Sequence, residues 1–210
     1  MISLKNIDKT FKNNNQHKVL SDFNYNFLPD TLYVVKGSNG SGKTTLLKLI
    51  AGLILPNKGE IVFQCQKKIG FVSSNERSFF GRLTAYENLE FFCSLDDIDP
   101  KNIKKYINNS HSELNISSFA NKKFIHLSSG QKKKLAIIRA LLKAPNIILM
   151  DEPFNFLDDN TKAELIKLIK QILANKNIYI LLSSHDEISD YFENHIALEL
   201  NQLSGNEKLT

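Results

Sequence analysis

Thr31-Leu32-Tyr33-Val34-Val35 runs almost directly into Gly37-Ser38-Asn39-Gly40-Ser41-Gly42-Lys43-Thr44, and this order decides the fold. The first five residues are β-branched, aromatic or aliphatic, which predicts a buried strand. The next eight fit G-x-x-x-x-G-K-[ST], a phosphate-cradling loop. Glycines let backbone N–H groups curl around phosphate oxygens with no Cβ in the way. Leu46, Leu47, Leu49, Ile50 and Leu53 then follow at helical spacing. The helix therefore starts at the loop, and its positive end adds to the attraction for an anion. In such a loop Lys43 reaches the β- and γ-phosphates and Thr44 offers its hydroxyl to Mg²⁺.

A loop of this kind needs a carboxylate on a second strand. Ile147-Ile148-Leu149-Met150 predicts that strand, and Asp151-Glu152-Pro153 follows it. Asp151 emerges at the C-terminal end, where open α/β sheets bind ligands, and is assigned to Mg²⁺. Neighbouring strand residues point to opposite sides, so Glu152 is free for a different task, general base for an attacking water. Ile178 to Leu182 predicts a further buried strand, continued by Ser183-Ser184-His185. That places His185 on the phosphate edge of the sheet, within reach of a γ-phosphate.

Outward from this centre the pattern changes twice. Ile2 to Ile7 and Phe23 to Phe27 alternate apolar and polar, as half-buried strands do. Asn13 to Gln16 reads as a polar turn, and Glu60 to Phe63 and Ile69 to Val72 as two more strands. From Arg82 to Ala144 the period is helical, with one helix around Leu83 to Phe92, a second around Ile103 to Ile107 and a third from Leu135 to Leu142. Thr161 to Leu173 is amphipathic. The expected architecture is an α/β P-loop domain spanning 1–210. Its core covers about 1–74 and 145–210, with an N-terminal antiparallel β subdomain, and a helical subdomain is inserted at about 75–144.

Composition narrows the function classes. The chain has 210 residues, 42% hydrophobic and 23% charged, enough for one domain with a real core. No apolar run approaches the roughly 20 residues that span a bilayer, so a membrane role would need another chain. Met1 to Lys5 has no apolar h-region and predicts no secretory signal. Cys65 and Cys93 form no C-x-x-C pair, which fits a reduced, cytosolic compartment. The net charge of +5 reads as lysines spread over the surface, with no nucleic acid expected. Its one dense cluster is Lys132-Lys133-Lys134.

One segment is unexplained by a generic phosphate-loop ATPase. Leu127-Ser128-Ser129-Gly130-Gln131 is a Ser/Gly loop feeding a helix N-terminus, a second anion site too far along the chain to serve the same phosphates. It resembles the L-S-G-G-Q signature of ABC ATPases, with Ser129 where a glycine is usual. The resemblance spans nearly the whole chain. Phe11 falls where that family places an aromatic ring against adenine, Phe156-Leu157-Asp158 resembles its D-loop, and Ser184-His185-Asp186 its H-loop. The resemblance implies that ATP is bound by Phe11 and Gly37 through Thr45 (Gly37, Ser38, Asn39, Gly40, Ser41, Gly42, Lys43, Thr44, Thr45), with Mg²⁺. It also implies a head-to-tail dimer, most simply of two copies, in which each ATP meets the signature segment of the second protomer.

Hydrolysis would then drive a separate transmembrane permease, with this chain peripheral on the cytoplasmic face. Basic residues often follow the signature in that family, which accounts for the lysine run. The family usually has a glutamine near the end of the Ile69–Val72 strand, touching Mg²⁺ and the transmembrane partner. Here Ser74 stands at that place, too short for the same reach, and Asn75 or water could substitute. The Ser74 to Thr84 pattern resembles export-type cassettes. The chain stops soon after Ile196-Ala197-Leu198, with no regulatory C-terminal domain expected. A haem-exporter cassette of cytochrome c maturation is an alternative, as is a soluble ABC ATPase acting on DNA or the ribosome. The latter relatives carry long coiled coils or two cassettes, and neither is seen here. A small-molecule kinase lacks the signature segment and Glu152.

Overall fold

The computed structural model describes residues 1–12, 16–74, 78–108, 114–184, 191–192 and 194–200. The strands are β1 Ile2–Lys12, β2 Gln16–Phe27, β3 Thr31–Lys36, β4 Lys58–Phe63, β5 Ile69–Val72, β6 Ile147–Met150, β7 Tyr179–Ser183 and β8 His195–Glu199. The helices are α1 Lys43–Ala51, α2 Ala85–Leu95, α3 Lys101–Asn108, α4 Ser129–Leu141 and α5 Asp159–Leu173.

Two sheets form. One is antiparallel, in the order β2-β1-β4. The other is parallel, in the order β5-β6-β7-β3-β8. Every residue of β6 and β7 is buried, as expected of strands covered on both faces. The period-2 alternation divides them between two cores. Leu32, Val34, Ile148, Met150, Ile180 and Leu182 face the apolar residues of α2, α3, α4 and α5. Tyr33, Val35, Ile147, Leu149, Tyr179 and Leu181 face α1 and the antiparallel sheet. The expected α/β fold with an N-terminal antiparallel sheet is the one observed.

Several boundaries differ from the sequence reading, each for a physical reason. β1 and β2 run well beyond Ile2–Ile7 and Phe23–Phe27. Register shifts between Leu4 and Ile7, Ile7 and Lys9, and Lys9 and Thr10 interrupt the alternation. Asn6 and Asp22 sit at positive φ beside them, a bulged geometry that hides strand continuity from a period-2 reading. Gln16 belongs to β2 and not to a turn; Asn13 to Asn15 lie outside the described residues.

The third helix begins at Ser129 and not at Leu135. Three consecutive lysines mask its period, although Ser128-x-x-Gln131 is the sequence form of a capping box. The strand β8 was not anticipated; only Ile196, Ala197 and Leu198 mark it.

Gly70 in β5 shows how closely α4 packs on the parallel sheet. A Cβ there would lie 2.6 Å from the Ala140 carbonyl oxygen and 3.0 Å from Pro145 Cγ. Backbone on one side and a rigid ring on the other leave no side chain that can yield. Gly70→Val is expected to lower unfolding free energy by about 1–3 kcal/mol, the usual cost of overpacking; urea unfolding measures it.

Candidate functional site

Parallel register brings the chemistry-bearing residues to one edge. Val35 pairs with Ser183, and Met150 with Leu182. The residues that follow β3 and β6 therefore leave the sheet level with the end of β7. Gly37 to Gly42 departs from β3, and Asp151 and Glu152 from β6.

The loop has the conformation its glycines allow. Gly37, Gly40 and Gly42 have φ of 147°, 82° and 107°, a region that side chains disfavour. A Cβ on Gly42 would also meet Val19 Cγ1 at 2.6 Å. Gly42 caps α1 without any side-chain hydrogen bond, and the first turn holds no acidic residue. The amides of Lys43, Thr44 and Thr45 thus donate to no acceptor among the described residues, an N-terminus left open for an anion.

Lys43 is 5% exposed and donates to the carbonyl oxygens of Gly37 (2.8 Å) and Ser38 (3.1 Å). Burial pushes its ammonium below the usual lysine range, and the carboxylates of Glu152 and Asp151 partly offset this. Ser41 Oγ is buried with no hydrogen-bond partner among the described residues, a polar atom that an arriving oxygen could satisfy.

The Asp151 carboxylate is 1% exposed. Its Oδ1 accepts from Thr44 Oγ1 at 2.8 Å and from Ser183 Oγ at 2.9 Å. The same Ser183 oxygen accepts from the Glu152 amide at 2.9 Å. Glu152 adopts φ 47°, and its Oε2 accepts from Asn155 Nδ2 at 2.5 Å.

Thr44 and Asp151 are hard oxygen donors standing beside the phosphate loop. They fit Mg²⁺, which takes one or two protein oxygens and completes its shell with water and substrate phosphates. Among the described residues no group of three or more His, Cys, Asp and Glu could hold a metal by itself.

An open cavity of about 410 Å³ is lined by Phe11, Val19, Asn39, Gly40, Gly42, Lys43, Thr44, Thr45 and Glu152. It joins the aromatic position, the phosphate loop and the expected base in one space. Phe11 is 36% exposed, with Lys9 Nζ 5.0 Å from its ring centroid. Val19, Ser183 and Asn155 were not anticipated from the sequence. A hydroxyl at the end of the buried run 179–183 was the available signal for Ser183.

Other expected residues lie elsewhere. Ser74 is exposed, two residues past β5, and does not line the cavity. Asn75 and His185 lie outside the described residues.

Leu127 to Gln131 does not line the cavity either, and most of it is not a loop. Leu127 is buried, Ser128 is the N-cap of α4, and Ser129, Gly130 and Gln131 form its first turn. The Gln131 amide donates to Ser128 Oγ, and the Ser128 amide donates to Gln131 Oε1. Ser129 Oγ donates to the Phe156 carbonyl at 2.9 Å. Leu157 is buried, and Asp158 caps α5 by accepting from the Thr161 amide and hydroxyl, which holds its carboxyl below the usual range.

The lysine run is committed within the chain. Lys132 lies over Phe124, Lys133 is buried, and Lys134 pairs with Glu164 at 2.5 Å.

Comparison with known proteins agrees with this geometry. A family model described as ABC transporter matches residues 20–155, well over half of the chain. The dimeric structure of a post-hydrolysis state of the ATP-binding cassette MJ0796, bound to ADP and Pi, is 28% identical. That match covers 100% of this chain and 98% of MJ0796 with a TM-score of 0.79. CbiO1 from Clostridium perfringens, described as part of the ABC transporter complex cbiONQ, is 22% identical over 99% of this chain and 86% of its own, with a TM-score of 0.78. It shares the fold.

The Ser183 hydroxyl serves two partners at once. Ser183→Ala should leave the Glu152 amide without its acceptor and Asp151 with one donor fewer. Unfolding free energy is expected to fall by about 1–3 kcal/mol, read by denaturant titration.

Proposed function

The chain belongs to the ABC transporter family and is an ATP-binding cassette with ATPase chemistry, and on that premise we propose how its own residues do the work. The carrying observation is that Lys43, Thr44 and Glu152 line one cavity with Phe11. In this reading Phe11 stacks on adenine. The amides of Gly37 to Thr45 and the Lys43 ammonium hold the phosphates. Thr44 and Asp151 hold Mg²⁺, which supplies charge neutralisation at the phosphates.

Glu152 takes a proton from water as the water oxygen bonds to the γ-phosphorus. The bond from phosphorus to the bridging oxygen breaks, releasing ADP and phosphate. His185 is proposed as a γ-phosphate contact, and Ser74 or Asn75 as the substitute for the usual glutamine. Residues 75–144 are taken as the helical subdomain.

We further propose a head-to-tail dimer, most simply of two copies, in which Ser128 to Gln131 of each protomer closes over the ATP of the other near Leu157 and Asp158. Two features support it. The signature segment lies outside the cavity of its own protomer, and the start of α4 has amides directed along the helix axis for an anion. Power would pass to a separate transmembrane permease, since among the described residues no helix is long and apolar enough to cross a membrane. A cleft of about 330 Å³ between α1, β5 and α4, lined by Leu53, Phe71, Phe79 and Arg139 among others, is a surface such a partner could cover. The Ser74 to Thr84 pattern favours an exporter, and the reading has this chain peripheral on the cytoplasmic face.

Glu152→Gln keeps the shape of the side chain and removes its basicity. ATP binding should persist, a nucleotide-dependent dimer should accumulate on size exclusion, and phosphate release should fall about 10²–10⁴-fold. Normal turnover in that variant would remove Glu152 from the role.

A further inference from the structure

The side chain of Glu152 is gripped by a residue that no motif reading assigns. Asn155 Nδ2 lies 2.5 Å from Glu152 Oε2, and the Asn155 amide N–H points back to the Glu152 carbonyl at 3.4 Å. A carboxylate oxygen can only accept, so the amide nitrogen and not the amide oxygen of Asn155 must face it. The pair is partly buried, where a charge-assisted hydrogen bond is short and strong.

The backbone on which both residues sit is itself restrained. Glu152 is held at positive φ with its N–H on Ser183. Pro153 and Phe154 are buried between the two. Phe156, at φ 62° and 89% exposed, has its carbonyl fixed by Ser129 Oγ. Leu157 is buried, and the Asp158 cap then closes the segment onto α5. Asn155 is therefore fixed from both sides, and with it the direction in which it presents its N–H.

We propose that Asn155 is a positioning residue for the hydrolytic step: its side-chain N–H fixes the Glu152 carboxylate in the cavity so that its basic oxygen meets the attacking water. This rests on the reading of Glu152 as general base. The physical reason is entropic. Glu152 projects into an open cavity, and a glutamate has three rotatable bonds to immobilise. A base must stand within hydrogen-bond reach of the proton that it takes, and displacement by about 1 Å can cost about 10²-fold in rate. One hydrogen bond from a fixed donor removes most of that freedom without touching the nucleotide.

The test uses steady-state ATP hydrolysis by the full chain, with affinity for an ATP analogue measured separately. Asn155→Ala should lower kcat by about ten- to hundred-fold while KM and analogue affinity stay within about twofold of the parent. A purely structural role would instead move affinity and thermal midpoint together. If the alanine variant does not fold, Asn155→Asp carries the same test. It is nearly isosteric, lacks the N–H donor, and should depress kcat at least as far.

Unchanged or raised kcat in these variants, with Glu152→Gln inactive, would overturn the proposal and leave the base reading standing. Hydrolysis retained in Glu152→Gln would overturn that reading first.

Discussion

The buried carboxylate of Asp151 is the constraint around which the site is built. A carboxylate that is 1% exposed is tolerated in an interior only when its oxygens are satisfied. Thr44 from the start of α1 and Ser183 from the end of β7 both donate to it. Its own amide donates to the Val72 carbonyl at the end of β5. One residue, through its side chain and its amide, thus joins the helix that follows β3 to three parallel strands. The loop before α1 cannot shift without breaking the Thr44 contact, and Glu152 cannot turn without disturbing Ser183.

The same arrangement balances charge. Lys43 is desolvated and its ammonium is disfavoured by burial, and Glu152 and Asp151 offset only part of that. A triphosphate entering the cavity would bring several negative charges towards two carboxylates. Open amides at the start of α1 and the Lys43 ammonium meet part of that charge. In the proposed site a divalent cation beside Thr44 and Asp151 would meet the remainder.

The legible part of this protein was whatever is written in consecutive residues. Gly37 to Thr44 could be read because the loop chemistry is local. Ile147 to Glu152 could be read because a strand buried on both faces is a continuous apolar run. The contacts that complete the site were illegible because they come from register. Ser183 reaches Asp151 only because β7 pairs in parallel with β6 at Met150 and Leu182. Val19 comes under Gly42 only because the long β2 continues past a bulge that hides it from alternation. The lysines of α4 concealed its first turn for a different reason: Lys132 and Lys134 are held by an aromatic ring and a glutamate, partners that lie in other segments.

The beginnings of α1 and α4 offer their amides unequally. A helix start offers four unpaired amides. At α1 a left-handed glycine caps the helix without using a side chain, so the amides stay available within a curled loop. At α4 the Ser128–Gln131 box consumes the amides of both residues, and no glycine loop curls around what is left. Ser129 turns its hydroxyl to the Phe156 carbonyl on its own chain and not outward. A phosphate would find donors on two sides at α1 and on one side at α4. In the proposed head-to-tail dimer, each signature segment would add to a bound nucleotide and not compete for a free one. The Ser129 contact would give that closure a route to the proposed base, because the carbonyl it holds belongs to the residue next to Asn155.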